Sequence, residues 1–306
     1  MLNHAIKRLF ASVFVILGIS LLLFVLLRSL PGDPAVVLAG EMATDEDIVL
    51  IREQLGLDQP VYIQYGRFLN RLIHFDLGRS ARTQDPVIYD IKTRLPNTLL
   101  LAITATFLAC LIGIPAGILS ATKPHTWIDY LATSTALFGI SMPVFWLGLM
   151  MVVVFSVILK WLPAGGTGGI EHLVMPSFSL AAFLIAFIAR MTRASLLEVL
   201  SQDYITTARS KGLSEQGVIS RHAIKNALIP IVTVIGLQFG RLLGGAVLTE
   251  TVFAWPGIGR LLVDSITARD YPMVQGVILT FGLLFVLVNL IVDLSYSLID
   301  PRITYD

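Results

Sequence analysis

Arg209, Lys211, Arg221 and Lys225 are set against Asp203 and Glu215 in a long polar stretch, DYITTARSKGLSEQGVISRHAIKNALIP, Asp203 to Pro230. Apolar runs flank it on both sides. The available groups are cations, hydroxyls and one phenol, so the chemistry they offer is binding rather than bond breaking. Tyr204 to Lys211 holds no Pro or Gly and reads as a short helix. Gly212 can take positive φ and end that helix. Ser214 can cap a second one, with Glu215 near its positive end and a weak point at Gly217. Two short helices meeting at a glycine form a rigid knob, which suits docking onto a partner. A basic loop between membrane spans is also what the positive-inside rule produces unaided.

Other chemistry is sparse. No G-x-x-x-x-G-K-[ST] occurs, so the chain lacks the loop that cradles a nucleotide phosphate. Gly257-x-Gly259 is too short for a dinucleotide fingerprint, has no strand before it, and reads as a tight turn. No Ser/His/Asp arrangement can be placed, and no Cys/His cluster has metal-ligand spacing. Glu171-His172 is a solvated loop pair. Cys110 is the single cysteine and sits in an apolar run as a small packing residue. No catalytic residue, metal ligand or cofactor is therefore expected on this chain. Arg241 interrupts an apolar run, where a mid-span charge costs about 2.5–3.5 kcal/mol on insertion scales. Either it lines a path and meets a substrate carboxylate or locks a gate, or it snorkels or pairs with an acid on a partner. Ser141, Met142 and Gln238 are further candidates along such a path, Ser141-Met142-Pro143 also reading as a kink. Asn289 and Asp293 read as helix-end or interhelix hydrogen-bonding groups, and Trp255 and Tyr271 as interfacial aromatics.

The elements that position these residues follow from composition. Of 306 residues, 55% are hydrophobic and 14% charged, against about 25% charged in a soluble domain. The apolar residues fall in runs, which makes an all-α polytopic membrane protein. A net charge of +1 gives no footprint for nucleic acid, and no such partner is expected. Leu9 to Leu27 is too long for a signal-peptide core and has no small-residue cleavage site after it, so it reads as a first span. Pro31 to Arg94 is a small helical insert. Thr44 caps a helix with an acidic first turn that stops at Gly56. Pro60 opens a second helix on Val61, Tyr65, Phe68, Leu69 and Leu72. Asp85-Pro86 starts a third, ending before Pro96. Leu95 to Thr122, Leu131 to Leu159, Leu173 to Ala189, Ala227 to Thr249 and Met273 to Val292 supply five more spans.

Six spans put both termini on one side. The short segments on that side carry Lys7, Arg8, Lys123, Arg190, Arg193, Arg209, Lys211, Arg221, Lys225 and Arg302, and those on the other only Lys160, Arg260 and Arg269. The expected orientation is N-in, C-in, with the central loop cytoplasmic and the insert extracytoplasmic. The division is residues 1–30 for the first span, 31–94 for the insert, and 95–306 for a five-helix core whose coupling loop is 190–228.

The central stretch resembles the cytoplasmic loop of permeases from binding-protein-dependent ABC importers. That loop runs EAA, three residues, then Gly. Here the triplet falls on Thr206, Thr207 and Ala208, and the glycine on Gly212. The family glutamate is thus a threonine, and the spacer to Pro230 is longer, as in the peptide/nickel branch with its TARxKG core. LPGDP (Leu30 to Pro34), QLGLDQP (Gln54 to Pro60), FDLGRS (Phe75 to Ser80), RLPNTLLL (Arg94 to Leu101), ETVFAWPGIGRLLVDSITARDYP (Glu250 to Pro272) and VDLSYSLIDPRITY (Val292 to Tyr305) are similar to segments of dipeptide, oligopeptide, glutathione and nickel permeases.

The resemblance implies a type I importer permease fold in the bacterial cytoplasmic membrane, surrounded by lipid. It implies a heterodimer with a second, homologous permease, two ATPase subunits that bind ATP and Mg, and an extracytoplasmic solute-binding protein. It assigns ATPase coupling to Tyr204, Thr207, Ala208, Arg209, Lys211, Gly212, Leu213 and Ser214, with Ala208 on the docking face and Tyr204 and Leu213 as apolar anchors. The segment around Trp255 would also touch the binding protein. Dipeptide, oligopeptide, glutathione and nickel chelate all remain open as substrate. An ion-driven secondary transporter would show paired repeats or several intramembrane acids, and an intramembrane enzyme paired catalytic groups at depth. Neither pattern is present.

Overall fold

The computed structural model describes residues 2–29, 35–36 and 43–299, with side chains omitted at 2–9, 27–29, 51, 54, 55, 229 and 293–299. The LPGDP segment, the Asp293 side chain and residues 300–306 lie outside the described set. All named elements among the described residues are helices: α1 (Leu2–Ser29), α2 (Asp45–Leu55), α3 (Val61–Ile73), α4 (Val87–Thr122), α5 (Trp127–Ser141), α6 (Val144–Met151), α7 (Glu171–Leu200), α8 (Asp203–Ser210), α9 (Ile224–Val252), α10 (Ile258–Thr267) and α11 (Tyr271–Ile299). Helices suit a bilayer because they satisfy their own backbone groups without water. Four of them, α4, α7, Pro230–Val252 of α9 and Tyr271–Val292 of α11, are long and apolar enough to cross a membrane. The pair Trp127–Ser141 and Val144–Ile158 makes a fifth if taken as one broken span, and α1 contributes the shorter apolar stretch Phe10–Leu26.

Local chemistry explains most boundaries. Thr44 and Asp47 form a reciprocal capping box at the start of α2, and Gly56 closes that helix in the left-handed region at φ 65°. α3 begins one residue later than expected: Pro60 is its N-cap and Val61 its first residue. Met142 is extended because the ring of Pro143 disfavours helical backbone before it. The chain turns there by 101° between α5 and α6, more than an ordinary kink. A π-helical segment, Val152–Ile158, then carries α6 on.

Two expectations fail in instructive ways. No separate helix ends before Pro96, because α4 runs unbroken from Val87 to Thr122 with Pro96 and Pro115 inside it. A proline removes one donor and crowds one carbonyl, which a helix of 36 residues packed along its length absorbs. Nor does the helix of the fourth span stop at Arg190 and Arg193; α7 continues past both to Leu200.

The core is the seam of α4 against α7 and α9. Leu101, Ala105 and Ala109 of α4 meet Leu180, Ala181, Leu184 and Ile188 of α7, and Ile231, Leu242 and Ala246 of α9. Cys110 packs against this cluster. Glycine sets how close α4 comes to α7. A Cβ at Gly117 would stand 2.5 Å from both the Ala189 carbonyl oxygen and Thr192 Cβ, and one at Gly113 2.8 Å from the Ile185 carbonyl oxygen. Small residues at a helix crossing admit this approach where lipid offers no hydrophobic drive between helices. Away from this seam, α1 is joined to the insert: Leu23 and Phe24 pack with Phe68 of α3 and Leu279 of α11, and buried Ser20 shares a 3.0 Å hydrogen bond with the Tyr65 hydroxyl.

Gly117→Ala forces α4 and α7 apart at their tightest point. Overpacking of this kind costs about 1–3 kcal/mol. The variant is expected to unfold at a lower temperature in detergent than wild type, whereas Gly166→Ala, where a Cβ has open space around it, is expected to show only the smaller cost of its backbone angle.

Candidate coupling site and the polar groups of the helix bundle

The central stretch folds as a compact knob at the end of the bundle where α4 and α7 finish. α8 spans Asp203–Ser210, and Lys211 caps it. Gly212 follows at φ 81°, its N–H donating to the Arg209 carbonyl at 2.9 Å. Ser214 then caps the turn Glu215–Gly217 by accepting from the Gly217 N–H. A π-helical segment, Val218–Ala223, leads directly into α9. The glycine hinge, the cap and the two flanking helical pieces thus stand as their residue types predict.

Three interactions make the knob rigid. Ile205 and Ala208 are buried with Leu196 of α7, Ala121 of α4, and Val218, Ala223 and Ala227 leading into α9. The Tyr204 hydroxyl accepts from Asn226 Nδ2 at 2.7 Å. Arg209 spans the Gly212 turn with a bidentate pair to Glu215, at 3.0 and 2.7 Å. This grip holds Glu215 below its ordinary carboxylate range and raises the Arg209 guanidinium.

Ala208 does not sit on an outward docking face. It is 6% exposed and faces the subunit's own core. The small side chain does permit a close approach, but of α8 to its own bundle. The free face of α8 is instead formed by Tyr204, Thr206, Thr207, Ser210 and Lys211, all exposed, with Leu213 and Ser214 exposed beyond the turn.

Just outside the knob, Asp129 of α5 receives Arg193 of α7 in a bidentate pair, Nε to Oδ1 at 2.7 Å and NH2 to Oδ2 at 2.8 Å. Ser120 of α4 and the His125 N–H complete its shell. One carboxylate thus joins the ends of three spans. Breaking such a pair by removing one partner strands a buried charge.

At the opposite end of α4 the sequence reading missed the principal polar element. Glu250 is fully buried near the end of α9. Its Oε1 accepts from Thr98 Oγ1 of α4 at 2.6 Å, and its Oε2 accepts the Arg260 N–H at 3.0 Å. Thr98 Oγ1 also accepts the Ile258 N–H at 2.9 Å. The carboxylate therefore lies at the positive N-terminus of α10, where free N–H groups point outward. Gly257 leaves room for it, since a Cβ there would come within 2.3 Å of the carboxylate. Trp255 is not an interfacial aromatic: it is 4% exposed, packs in the main core, and donates from Nε1 to the Asn97 carbonyl at 3.0 Å. Asn97 Nδ2 returns a bond to the Pro256 carbonyl at 2.9 Å. An acid within the otherwise apolar run that ends at Phe253, followed by W-P-G-I-G, was the available signal.

The four path candidates differ in exposure. Ser141 is exposed at the bend, its hydroxyl donating to the Leu137 carbonyl, and Met142 is half-buried beside it. Gln238 is only 7% exposed, inside the bundle. Arg241 is exposed on α9. Asn289 keeps a buried Oδ1 with no hydrogen-bond partner among the described residues.

This arrangement of spans matches known membrane subunits. The fold is shared with the MetNI methionine ABC transporter in inward-facing conformations, at TM-scores of 0.56 and 0.59 and 20% identity, covering 70–71% of this chain and 97–99% of the solved ones. An amino acid ABC transporter crystallised with histidines aligns at a TM-score of 0.53 and 18% identity, over 71% of this chain and 95% of that one. The type I ABC importer permease fold is therefore the class of this chain. Residues 113–305 match the family described as Binding-protein-dependent transport system inner membrane component, and residues 1–102 its N-terminal companion. The chain belongs to that family and is a multi-pass inner-membrane permease subunit. It is 47% identical to the Glutathione transport system permease protein GsiC of Escherichia coli K12 over 305 residues, all of both chains. It is 45% identical to the Dipeptide transport system permease protein DppB of Alkalihalophilus pseudofirmus, again over the full length of both.

The Arg209–Glu215 clamp sets a pH prediction. A folded-state Glu pKa below its unfolded value means the pair contributes at pH above about 4.5 and is lost as pH falls through the folded value. At this exposure it is worth under about 1 kcal/mol. Glu215→Gln is expected to speed amide exchange across 209–214 slightly at neutral pH, and to match wild type once Glu215 is protonated.

Proposed function

We propose that this chain is one of two permease subunits of an ATP-driven importer that moves short peptides, of the dipeptide, oligopeptide or glutathione class, by alternating access. Two separate ATPase subunits bind ATP and Mg and hydrolyse it, and an extracytoplasmic solute-binding protein delivers the substrate. Full-length similarity to permeases whose names specify glutathione and dipeptides supports the substrate class. A nickel chelate is the alternative cargo of the same branch. In this reading α1, the α5–α6 pair, α4, α7, α9 and α11 make six spans with both termini inside, and residues 31–94 lie outside.

The observation that carries the reading is the knob itself. α8 is anchored by Ile205 and Ala208 to the ends of three spans, while Thr207, Arg209, Lys211 and Leu213 remain exposed at its surface. An ATPase that grips this surface moves the spans with it, because a packed cluster transmits displacement as a rigid body.

Gly212→Val tests the coupling. Nothing lies within 4 Å of a Cβ built at Gly212, so the substitution meets no steric neighbour. It strains only the left-handed backbone, by roughly 1–2 kcal/mol. In reconstituted vesicles the complex is expected to insert but to lose transport and transport-stimulated ATP hydrolysis together. Retention of both at wild-type level would overturn the assignment of coupling to this loop.

Arg241→Leu addresses the path. Transport is expected to fall, or ATP hydrolysis to become uncoupled from it, with insertion unchanged. Wild-type transport and coupling would leave Arg241 a snorkelling residue.

A further inference from the structure

At the end of α4 remote from the knob, a cavity of about 290 Å³ opens between the Ser80–Thr83 loop, the first two turns of α4, α10 and the start of α11. Its size is at the lower end of the range for small-ligand sites. Charges of both signs line it: Arg82 and Arg94 on one hand, Asp90, Asp264 and Asp270 on the other.

Part of this charge is already partnered. Asp270 caps the start of α11 by accepting the Met273 N–H at 3.2 Å, and it also accepts the Ala81 N–H at 3.1 Å and the Ser80 hydroxyl. It thereby fixes the loop to α11. Asp264 faces Arg260 at 3.8 Å. The remaining groups are different. Asp90 Oδ2 is buried and has no hydrogen-bond partner among the described residues. Asp90 and Arg94 are four residues apart on α4, the spacing at which opposite charges normally pair, yet they form no ion pair. The Arg82 guanidinium is also unpaired among the described residues, and Arg82 is exposed at the rim. A buried carboxylate oxygen without a donor is uncommon in folded proteins and calls for an occupant.

We propose that this cavity is a binding site for a small zwitterion, an amino acid or a short peptide that presents both its ammonium and its carboxylate. Arg94, with Arg82 at the rim, receives the carboxylate as a planar guanidinium does, through paired N–H donors. Asp90 Oδ2 accepts from the ammonium group. The cavity lies between three helices and the Ser80–Thr83 loop and presents unpartnered groups of both signs close together, which favours a small ligand over an extended protein surface. The proposal rests on the peptide reading above and adds to it a site on the permease itself, at the end of the bundle away from the ATPases.

The test uses the full permease–ATPase complex in nanodiscs without its solute-binding protein, and glycylglycine and glutathione as probes. Saturable binding of at least one is expected. N-acetylation, which removes the ammonium, and amidation of the carboxylate are each expected to weaken that peptide about tenfold or more. Asp90→Asn should abolish discrimination against the acetylated peptide and keep discrimination against the amide; Arg94→Gln should do the reverse. A merely structural role would not separate the two analogues. Saturable binding of neither probe overturns the proposal, as does equal weakening of both analogues in each variant. If Arg94→Gln instead weakens capture of the solute-binding protein while no free peptide binds, the cavity is a protein-docking socket and the proposal falls. Uptake of both probes by the complete importer is measured alongside. Uptake decides the peptide reading and the nanodisc binding decides the cavity, so either can fail alone.

Discussion

A charge or hydrogen-bonding group inside a bilayer must find its partner in the protein, because the hydrocarbon supplies none. Most of the long-range architecture here follows from that constraint. Glu250 has no solvent, and its oxygens are met by Thr98 of α4 and by the free N–H at the start of α10. Asp129 is met by Arg193, Ser120 and a backbone N–H. Each carboxylate draws in groups from different helices, and each therefore fixes the relative position of spans that apolar packing alone would let slide. Leu against Leu specifies little in lipid, whereas a buried acid accepts only one arrangement of donors.

These two nodes sit at opposite ends of α4, and α4 is also the helix that glycine brings closest to α7. The result is a rod tied at both ends. At one end are the knob and the Asp129 pair; at the other are the Glu250 cage and the Asp270 cap. A push on α8 enters α4 and α7 through Ala121 and Leu196, which share one cluster with Ile205 and Ala208. The bundle can then respond by moving as a body or by bending where the ladder is irregular away from the knob, at the π-helical segment Val152–Ile158. It has no slack connection at the knob itself.

The elements governed by local chemistry were legible from residue types. The Thr44 box, the Gly56 stop, the Gly212 turn and the Ser214 cap each need only their neighbours in sequence. The apolar runs gave the long helices, with boundaries displaced where an arginine or proline lies within a helix that packing sustains. The polar cage was not legible, since a glutamate before W-P-G-I-G and a threonine 152 residues away carry no mutual signal. Trp255 was misplaced for the same reason: an amphipathic ring looks interfacial until its Nε1 partner, the Asn97 carbonyl, is known. The inward face of Ala208 shows the limit differently. Residue size announced a close approach and could not say to what.

Two charged residues of one helix meet the same constraint in opposite ways. Glu250 and Arg241 lie on α9 nine residues apart, and a lipid-facing placement of either would be costly. Glu250 is fully buried among donors. Arg241 is exposed, has no hydrogen bond or ion pair among the described residues, and shares its exposed face with Leu237, Gly244 and Leu248. Lipid would accept the two leucines and the glycine but not the guanidinium. No Cβ neighbour crowds Gly244, so the face is open to close approach by another surface. The same desolvation cost that gathers groups around Glu250 is met at Arg241 by none of the described side chains, so it falls to snorkelling toward the interface, to water, or to a surface outside the chain.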